Sequence, residues 1–424
     1  MTATLRTLKN GVRVVCDPMP GLETLALSVV AGRGAAYEDP SRSGWSHLLE
    51  HMVFKGAGRR SARDIVEVIE SAGGSINAAT GYERTSFQVR CLAGGLDLGS
   101  AVLADLVLAP RMDADDLARE KQVVGQEIAE AADTPDDLVF EMAQAAAYGD
   151  QPLGRSILGT TGSIAGADPA SLSDWRACLY DPQSLVVSAA GAVDEAALLA
   201  LAERDFGAAK SPATGAPTAP PAFFTGGEAV SVKALEQANL VFLLPSVGVS
   251  DPDYFALRLF AEILGGGMAS RLFQEAREKR GLAYAVDAYS ETYADQGVLG
   301  VFAGCAAKDA VELAKVAAGE IAGLGESVGE AELARAKAQL KGAMFMMRES
   351  PLARAEQTAA QLLLFDRPLP PAEIAAGIEA VRPADLARLG AAMCASGRAA
   401  VSVLGPRQAG PAAQAFTRAL FARA

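Results

Sequence analysis

Leu185–Gly191, LVVSAAG, and Val401–Gly405, VSVLG, are two β-branched runs that each stop at a glycine and lead into an Ala/Leu-rich, helix-like segment. The two glycines are 214 residues apart. Working outward, the strand-like run Thr24–Ala31 precedes an EDP turn ending at Pro40, and Leu240–Pro245 precedes an SDP turn ending at Pro252, 212 residues further on. Such close agreement between two offsets points to a duplicated chain. Only Ala208–Gly227, AAKSPATGAPTAPPAFFTGG, reads as a linker, because Pro, Gly, Ala, Ser and Thr dominate it and no hydrophobic period survives. The expected layout is therefore a first domain over 1–209, a linker over 210–227 and a homologous second domain over 228–424. Strands cluster in groups, and long helices such as Asp113–Ala132 and Glu330–Met347 carry apolar residues at three- and four-residue spacing. That pattern predicts two α+β domains, each a sheet with helices packed on it, and not a doubly wound parallel sheet.

The chain has 424 residues, half of them apolar, enough to bury a large core in each of two domains. Asp and Glu number 51 against 38 Lys and Arg, a formal charge of -13, so there is no basic surface to neutralise a phosphate backbone and nucleic acid is not an expected partner. Five cysteines are scattered singly without a CxxC pair, which argues against both a disulfide framework and a thiolate zinc cluster. The N-terminus MTATLRTLKNGVRVVCDPMP lacks the pattern of a signal peptide and no apolar run reaches the length of a membrane span. A cytoplasmic protein with no membrane partner is the expectation.

The chemistry is concentrated in one place. The chain has two histidines, His47 and His51, in SHLLEH. On a helix, residues three and four apart share a face, so His47, Glu50 and His51 converge while Leu48 and Leu49 turn elsewhere. Two neutral imidazoles one turn apart suit Zn²⁺, whose catalytic sites take three protein ligands and leave a position for water. The order is H-x-x-E-H, the inverse of the commoner H-E-x-x-H motif. With no histidine left, a carboxylate is the natural third ligand, and the helix Asp113–Ala132 offers Glu120, Glu127 and Glu130. Glu120 and Glu127 lie two turns apart on one stripe, so one can bind metal while the other orients a ligand. Spacing alone does not choose between them.

These residues resemble the inverzincin metallopeptidases of family M16, which include the mitochondrial processing peptidase, the insulin-degrading enzyme and pitrilysin. The resemblance runs nearly the full chain. It takes in HLLEH and the MVFKG after it, GGSINAATGYERTSF, EKQVVGQE, DTPDDLVFEMAQAAAYGDQPLGRSILGT and SRLFQEAREKRGLAYAV. It is strongest to the short bacterial members, built of two homologous halves with mostly antiparallel sheets. The resemblance implies a zinc endopeptidase with one Zn²⁺ per chain, held by His47, His51 and Glu127, with Glu120 behind the ligands and Glu50 as general base. It further implies that Asn77 and Ala78 line an exposed strand edge to which substrate peptides add as a strand. Arg277 and Tyr284 match a pair that reaches the substrate from the second half; read without the family, they are a helix charge and a strand residue.

A chain with two domains where the family's chamber needs four implies pairing, either as a homodimer or with a homologous partner subunit. A catalytically silent scaffold or binding subunit is the alternative, disfavoured because His47, Glu50, His51 and Glu127 are all present. The glycines of Leu264–Met268 lack the following Lys-Ser or Lys-Thr of a phosphate loop and read as helix punctuation.

Overall fold

A computed structural model describes residues 3–212, 215 and 217–422; residues 213, 214 and 216 of the expected linker lie outside the described residues. The first half begins with strands β1 (Thr4–Thr7), β2 (Arg13–Pro18) and β3 (Thr24–Ala31), followed by helix α1 (Trp45–Val53). A short pair, β4 (Gly56–Ala57) and β5 (Arg60–Ser61), leads to α2 (Ala62–Ser71), β6 (Ser75–Thr80) and β7 (Thr85–Leu92). Helices α3 (Leu96–Leu108), α4 (Ala114–Asp133), α5 (Pro135–Tyr148), α6 (Thr161–Ala165) and α7 (Pro169–Leu179) come next, then β8 (Leu185–Gly191) and α8 (Glu195–Phe206).

In the second half β9 (Gly227–Val232) and β10 (Gln237–Val247) precede α9 (Tyr254–Gly265) and a π-helical segment, Phe273–Lys279. Strands β11 (Ala283–Thr292) and β12 (Gln296–Ala306) are followed by α10 (Ala310–Glu326), α11 (Glu330–Met347), α12 (Pro351–Phe365), α13 (Pro371–Ala380) and α14 (Pro383–Ala395). The half closes with β13 (Ala400–Gly405) and α15 (Ala412–Phe421).

The duplication is visible in the sheets. The first has the order β1-β2-β8-β3-β7-β6 and the second β11-β12-β10-β13-β9. Setting β1 aside, the orders superpose strand for strand, with one parallel pair in each, β2 with β8 and β9 with β13, and every other pairing antiparallel. The two marker glycines are equivalent. Gly191 (φ +105°) and Gly405 (φ +152°) end β8 and β13 where the backbones of Thr24–Leu25 and Gln237–Ala238 pass too close for a Cβ. This is the two-domain α+β architecture that the strand grouping predicts.

Each compact unit is discontinuous along the chain. Met1–Ala129, Ser156–Pro221 and Phe345–Pro370 form one unit; Glu130–Arg155, Ala222–Met344 and Pro371–Ala424 form the other. The halves thus exchange a helix: α12 packs on β3 and β8 in the first unit, and α5 packs on β13 and β10 in the second. Both helices enter through a Pro after a hydroxyl residue, Thr134-Pro135 and Ser350-Pro351, as suits a first helical position whose N–H has no intrahelical partner. Each is met by a buried serine of the sheet it covers, Ser188 Oγ on β8 donating to Ala355 O at 2.7 Å and Ser402 Oγ on β13 donating to Val139 O at 2.7 Å. Sequence boundaries drawn at 209 and 228 follow chain order, and an exchange of this kind leaves no trace in composition.

The first unit's main core lies on the opposite face of its sheet, where Leu25, Leu27, Val29, Phe87 and Val89 meet Leu48, Leu49 and Met52 of α1. Burial of these side chains stabilises by roughly 1.5–3 kcal/mol each, and fixes which face of α1 looks outward.

Candidate metal centre

Helix α1 starts at Gly44 in the left-handed region (φ +86°), where a Cβ would lie 2.5 Å from Leu158 O, so only glycine fits. Its free N–H groups are capped by the buried Glu38 carboxylate, which accepts from Gly44 N at 2.8 Å and Ser46 N at 2.6 Å. Leu48, Leu49, Met52 and Val53 are fully buried, so the opposite stripe carries His47, Glu50 and His51, each half-buried.

Helix α4 completes the cluster. His47, His51 and Glu127 place one ligand atom each within 4.8 Å of one another. Glu127 Oε2 is 3.5 Å from His51 Nε2 and 3.7 Å from His47 Nε2. The edge of a tetrahedron with ligands about 2.1 Å from its centre is roughly 3.4 Å, so these separations suit one zinc ion. The decisive observation is an orphan: Glu127 Oε2 is buried and has no hydrogen-bond partner among the described residues. A buried carboxylate oxygen without a donor is costly unless a cation fills the place. Burial, with the charge of His51 second, lowers the His47 pKa to about 4, so its imidazole is neutral, the form that ligates metal.

Behind these three side chains, Glu120 is buried and its Oε2 lies 3.1 Å from His51 Nδ1, while its Oε1 pairs with Lys55 Nζ at 2.8 Å. Beside them, Thr80 Oγ1 donates to Glu50 Oε2 at 2.5 Å. Burial raises the Glu50 pKa above the usual carboxylate value, with the Thr80 bond and the charge of His51 pulling the other way. Of the three glutamates the helix offered, Glu127 and Glu120 are the two brought to the histidines; Glu130 falls in the other compact unit.

Asn77 and Ala78 lie on β6, the edge of the first sheet, with Asn77 exposed and Ala78 buried. Arg277 and Tyr284 belong to the second unit. Arg277 lies in the π-helical segment with its guanidinium carbon 4.8 Å from the Phe273 ring centroid, and Tyr284 is a half-exposed residue of β11. Gly265 ends α9 and Gly266 caps it, as punctuation requires. Thr80, Lys55 and Glu38 were not legible as site residues. Lys55 carried the one available signal, since it follows His51 by four positions.

The duplication also accounts for there being one such cluster among the described residues. The 212-residue offset that relates Pro40 to Pro252 also carries the β6–β7 register, Ala78 opposite Phe87, onto the β11–β12 register, Ser290 opposite Leu299. Under it Glu50 falls on Glu262, but His47 and His51 fall on Leu259 and Ile263, which are buried in the second unit's core.

Fold and cluster together define a duplicated α+β protein with one two-histidine, one-carboxylate metal-type site in its first half. Two family models match it: residues 13–161 match Insulinase (Peptidase family M16), and residues 167–340 match Peptidase M16 inactive domain. A protein of Rickettsia felis described as an uncharacterized zinc protease is 36% identical over 385 residues, covering 89% of this chain and 92% of that one. A protein of Bacillus subtilis, likewise described as an uncharacterized zinc protease, is 34% identical over 364 residues, covering 85% and 88%. The crystal structure of a protease from Helicobacter pylori superposes with a TM-score of 0.88 at 21% identity, covering 96% of this chain and 99% of that one. The chain belongs to peptidase family M16. Among the described residues no helix is long and apolar enough to cross a membrane.

Proposed function

We propose that this protein is a zinc-dependent endopeptidase that hydrolyses peptides or unfolded segments. The observation that carries the reading is the buried, unpartnered Glu127 Oε2 facing the Nε2 atoms of His47 and His51, with Glu50 on the same helical stripe. The names of the relatives, zinc proteases, support it.

His47, His51 and Glu127 would hold the ion. When bound, zinc supplies Lewis acidity that makes a water more acidic and a peptide carbonyl more electrophilic. Glu50 takes a proton from the attacking water as the new C–O bond forms, then delivers it to the nitrogen of the breaking C–N bond, so one carboxylate acts in turn as base and acid. Burial raises its pKa above the ordinary carboxylate value, the direction that helps it hold the proton between the two roles. The Thr80 hydroxyl fixes one Glu50 oxygen and leaves the other to carry the proton. The open edge of β6 at Asn77 and Ala78 takes the substrate as an added strand, so the backbone supplies affinity and sequence preference is loose. Folded substrates present no free strand to it.

In the same reading two copies of the chain pair to enclose a chamber in the cytoplasm, and Arg277 and Tyr284 of the partner subunit reach the substrate. These parts rest on the family resemblance. Sedimentation that found an active monomer would sink the chamber.

The test is zinc content together with cleavage of a peptide mixture, for the wild type and for Glu50→Gln. One zinc per chain, and cleavage lost in a variant that keeps its metal, is the expected result. Zinc without cleavage would overturn the peptidase reading, and no zinc would return the protein to a scaffold.

A further inference from the structure

We infer that Lys55 is a positioning residue for the metal site: by holding Glu120 Oε1 it aims Glu120 Oε2 at His51 Nδ1 and so presents His51 Nε2 to the ion. The inference rests on the zinc reading above. It starts from an asymmetry between the two imidazoles. His47 Nδ1 is buried and has no hydrogen-bond partner among the described residues, whereas His51 Nδ1 is 3.1 Å from a carboxylate oxygen. Only His51 is therefore oriented from behind. A donor Nδ1–H directed at Glu120 fixes the tautomer in which Nε2 keeps its lone pair, and Nε2 is the atom that lies 3.5 Å from Glu127 Oε2.

Glu120 does this from a buried position, 5% exposed, where a carboxylate needs a counter-charge. Lys55 supplies it at 2.8 Å. Both ends of the chain Lys55–Glu120–His51 come from α1 and the turn that ends it: Lys55 stands four residues after His51, two beyond the last residue of α1, and its N–H donates to Met52 O at 3.1 Å. With Oε1 tied to the ammonium, Oε2 is left for the imidazole. Methionine at this position would keep the stem's packing and free the carboxylate to turn away.

The sign of the effect makes the inference testable. Taken as a bare charge, Lys55 repels a dication, so removing it would tighten zinc. Acting through Glu120, its removal loosens zinc, and outer partners of this kind are worth about 10–100-fold in affinity.

The experiment measures zinc affinity by competition with a chromogenic chelator for the wild type, Lys55→Met, Lys55→Arg, Glu120→Gln and the double variant Lys55→Met/Glu120→Gln. The visible spectrum of the Co²⁺-loaded protein serves as a second readout. Expected are a loss of about 10-fold or more in Lys55→Met with an altered Co²⁺ spectrum, recovery in Lys55→Arg, and a double variant no weaker than Glu120→Gln alone. Unchanged or tighter binding in Lys55→Met, or losses that add in the double variant, would overturn the inference. A wild type that binds no zinc would refute the metal reading itself, a failure seen before any variant is compared.

Discussion

Arg354 of the exchanged helix α12 grips Asp17 of β2 with two hydrogen bonds, Nε to Oδ2 at 2.7 Å and Nη2 to Oδ1, and the side chains are only 15% and 4% exposed. A buried pair of this kind is weak evidence of net stabilisation, but breaking one side leaves an uncompensated charge. Arg354→Met is expected to cost about 3–5 kcal/mol in denaturant unfolding. Arg354→Met/Asp17→Asn should recover most of that loss, and a double-mutant cycle checks it.

Ser188 and Ser402 make equivalent buried bonds to the two exchanged helices. The acceptors are helix carbonyls, so each serine adds a second bond to an oxygen already used. Ser188→Ala and Ser402→Ala should each cost about 1 kcal/mol, and because they sit in different units the two losses should add. A cost confined to one of them would break the equivalence of the halves.

Thr80 sets the direction of Glu50. Thr80→Val keeps the shape of the side chain and removes the donor, so kcat should fall by between about 10- and 100-fold through misplacement of the base. Zinc content should not change. Metal loss alongside the fall in kcat would show that Thr80 supports α1 as a whole.

Zinc should stabilise the protein by mass action, by about 2.7 kcal/mol at a free concentration one hundred times the dissociation constant. The metal-free protein should stay folded, because α1 is anchored by Leu48, Leu49, Met52 and Val53 on the face away from the site. Thermal melts with zinc and with chelator test this, and Glu127→Gln should abolish the difference between them.

Burial pushes the Glu356 carboxyl up, while Ser86, Arg84 and Gln88 oppose it. A raised carboxyl contributes stability that is present at acid pH and lost as pH rises through the folded value. Glu356→Gln should therefore be more stable than the wild type near pH 8, and the gap should close toward the ordinary value of 4.5. Urea midpoints across that range would show a constant gap if the carboxyl were not perturbed.

Much of this molecule could be read before its structure. Gly191 and Gly405 announced the duplication because a strand that ends where a neighbour crosses closely has room for no other residue. His47, Glu50 and His51 announced the side-chain cluster because helical periodicity alone puts them on one face. What was hidden depends on contacts between residues distant in sequence. Thr80 meets Glu50 across 30 residues, and Glu120 and Glu127 are distinguished by which imidazole nitrogen each faces. The helix exchange was hidden for the same reason, since α5 and α12 are ordinary amphipathic helices in sequence.

That exchange governs how the protein can be made and cut. The back of the first sheet, Val15, Val30 and Val186, is covered by Ala359 and Leu362 of α12. On the ribosome that surface must therefore wait, bare and adhesive, until most of the second half has been translated. A message truncated at the linker should yield an insoluble product, not a smaller enzyme. A protease that nicks the finished protein between Ala208 and Gly227 should instead release nothing, because each fragment keeps a helix lodged in the fold of the other.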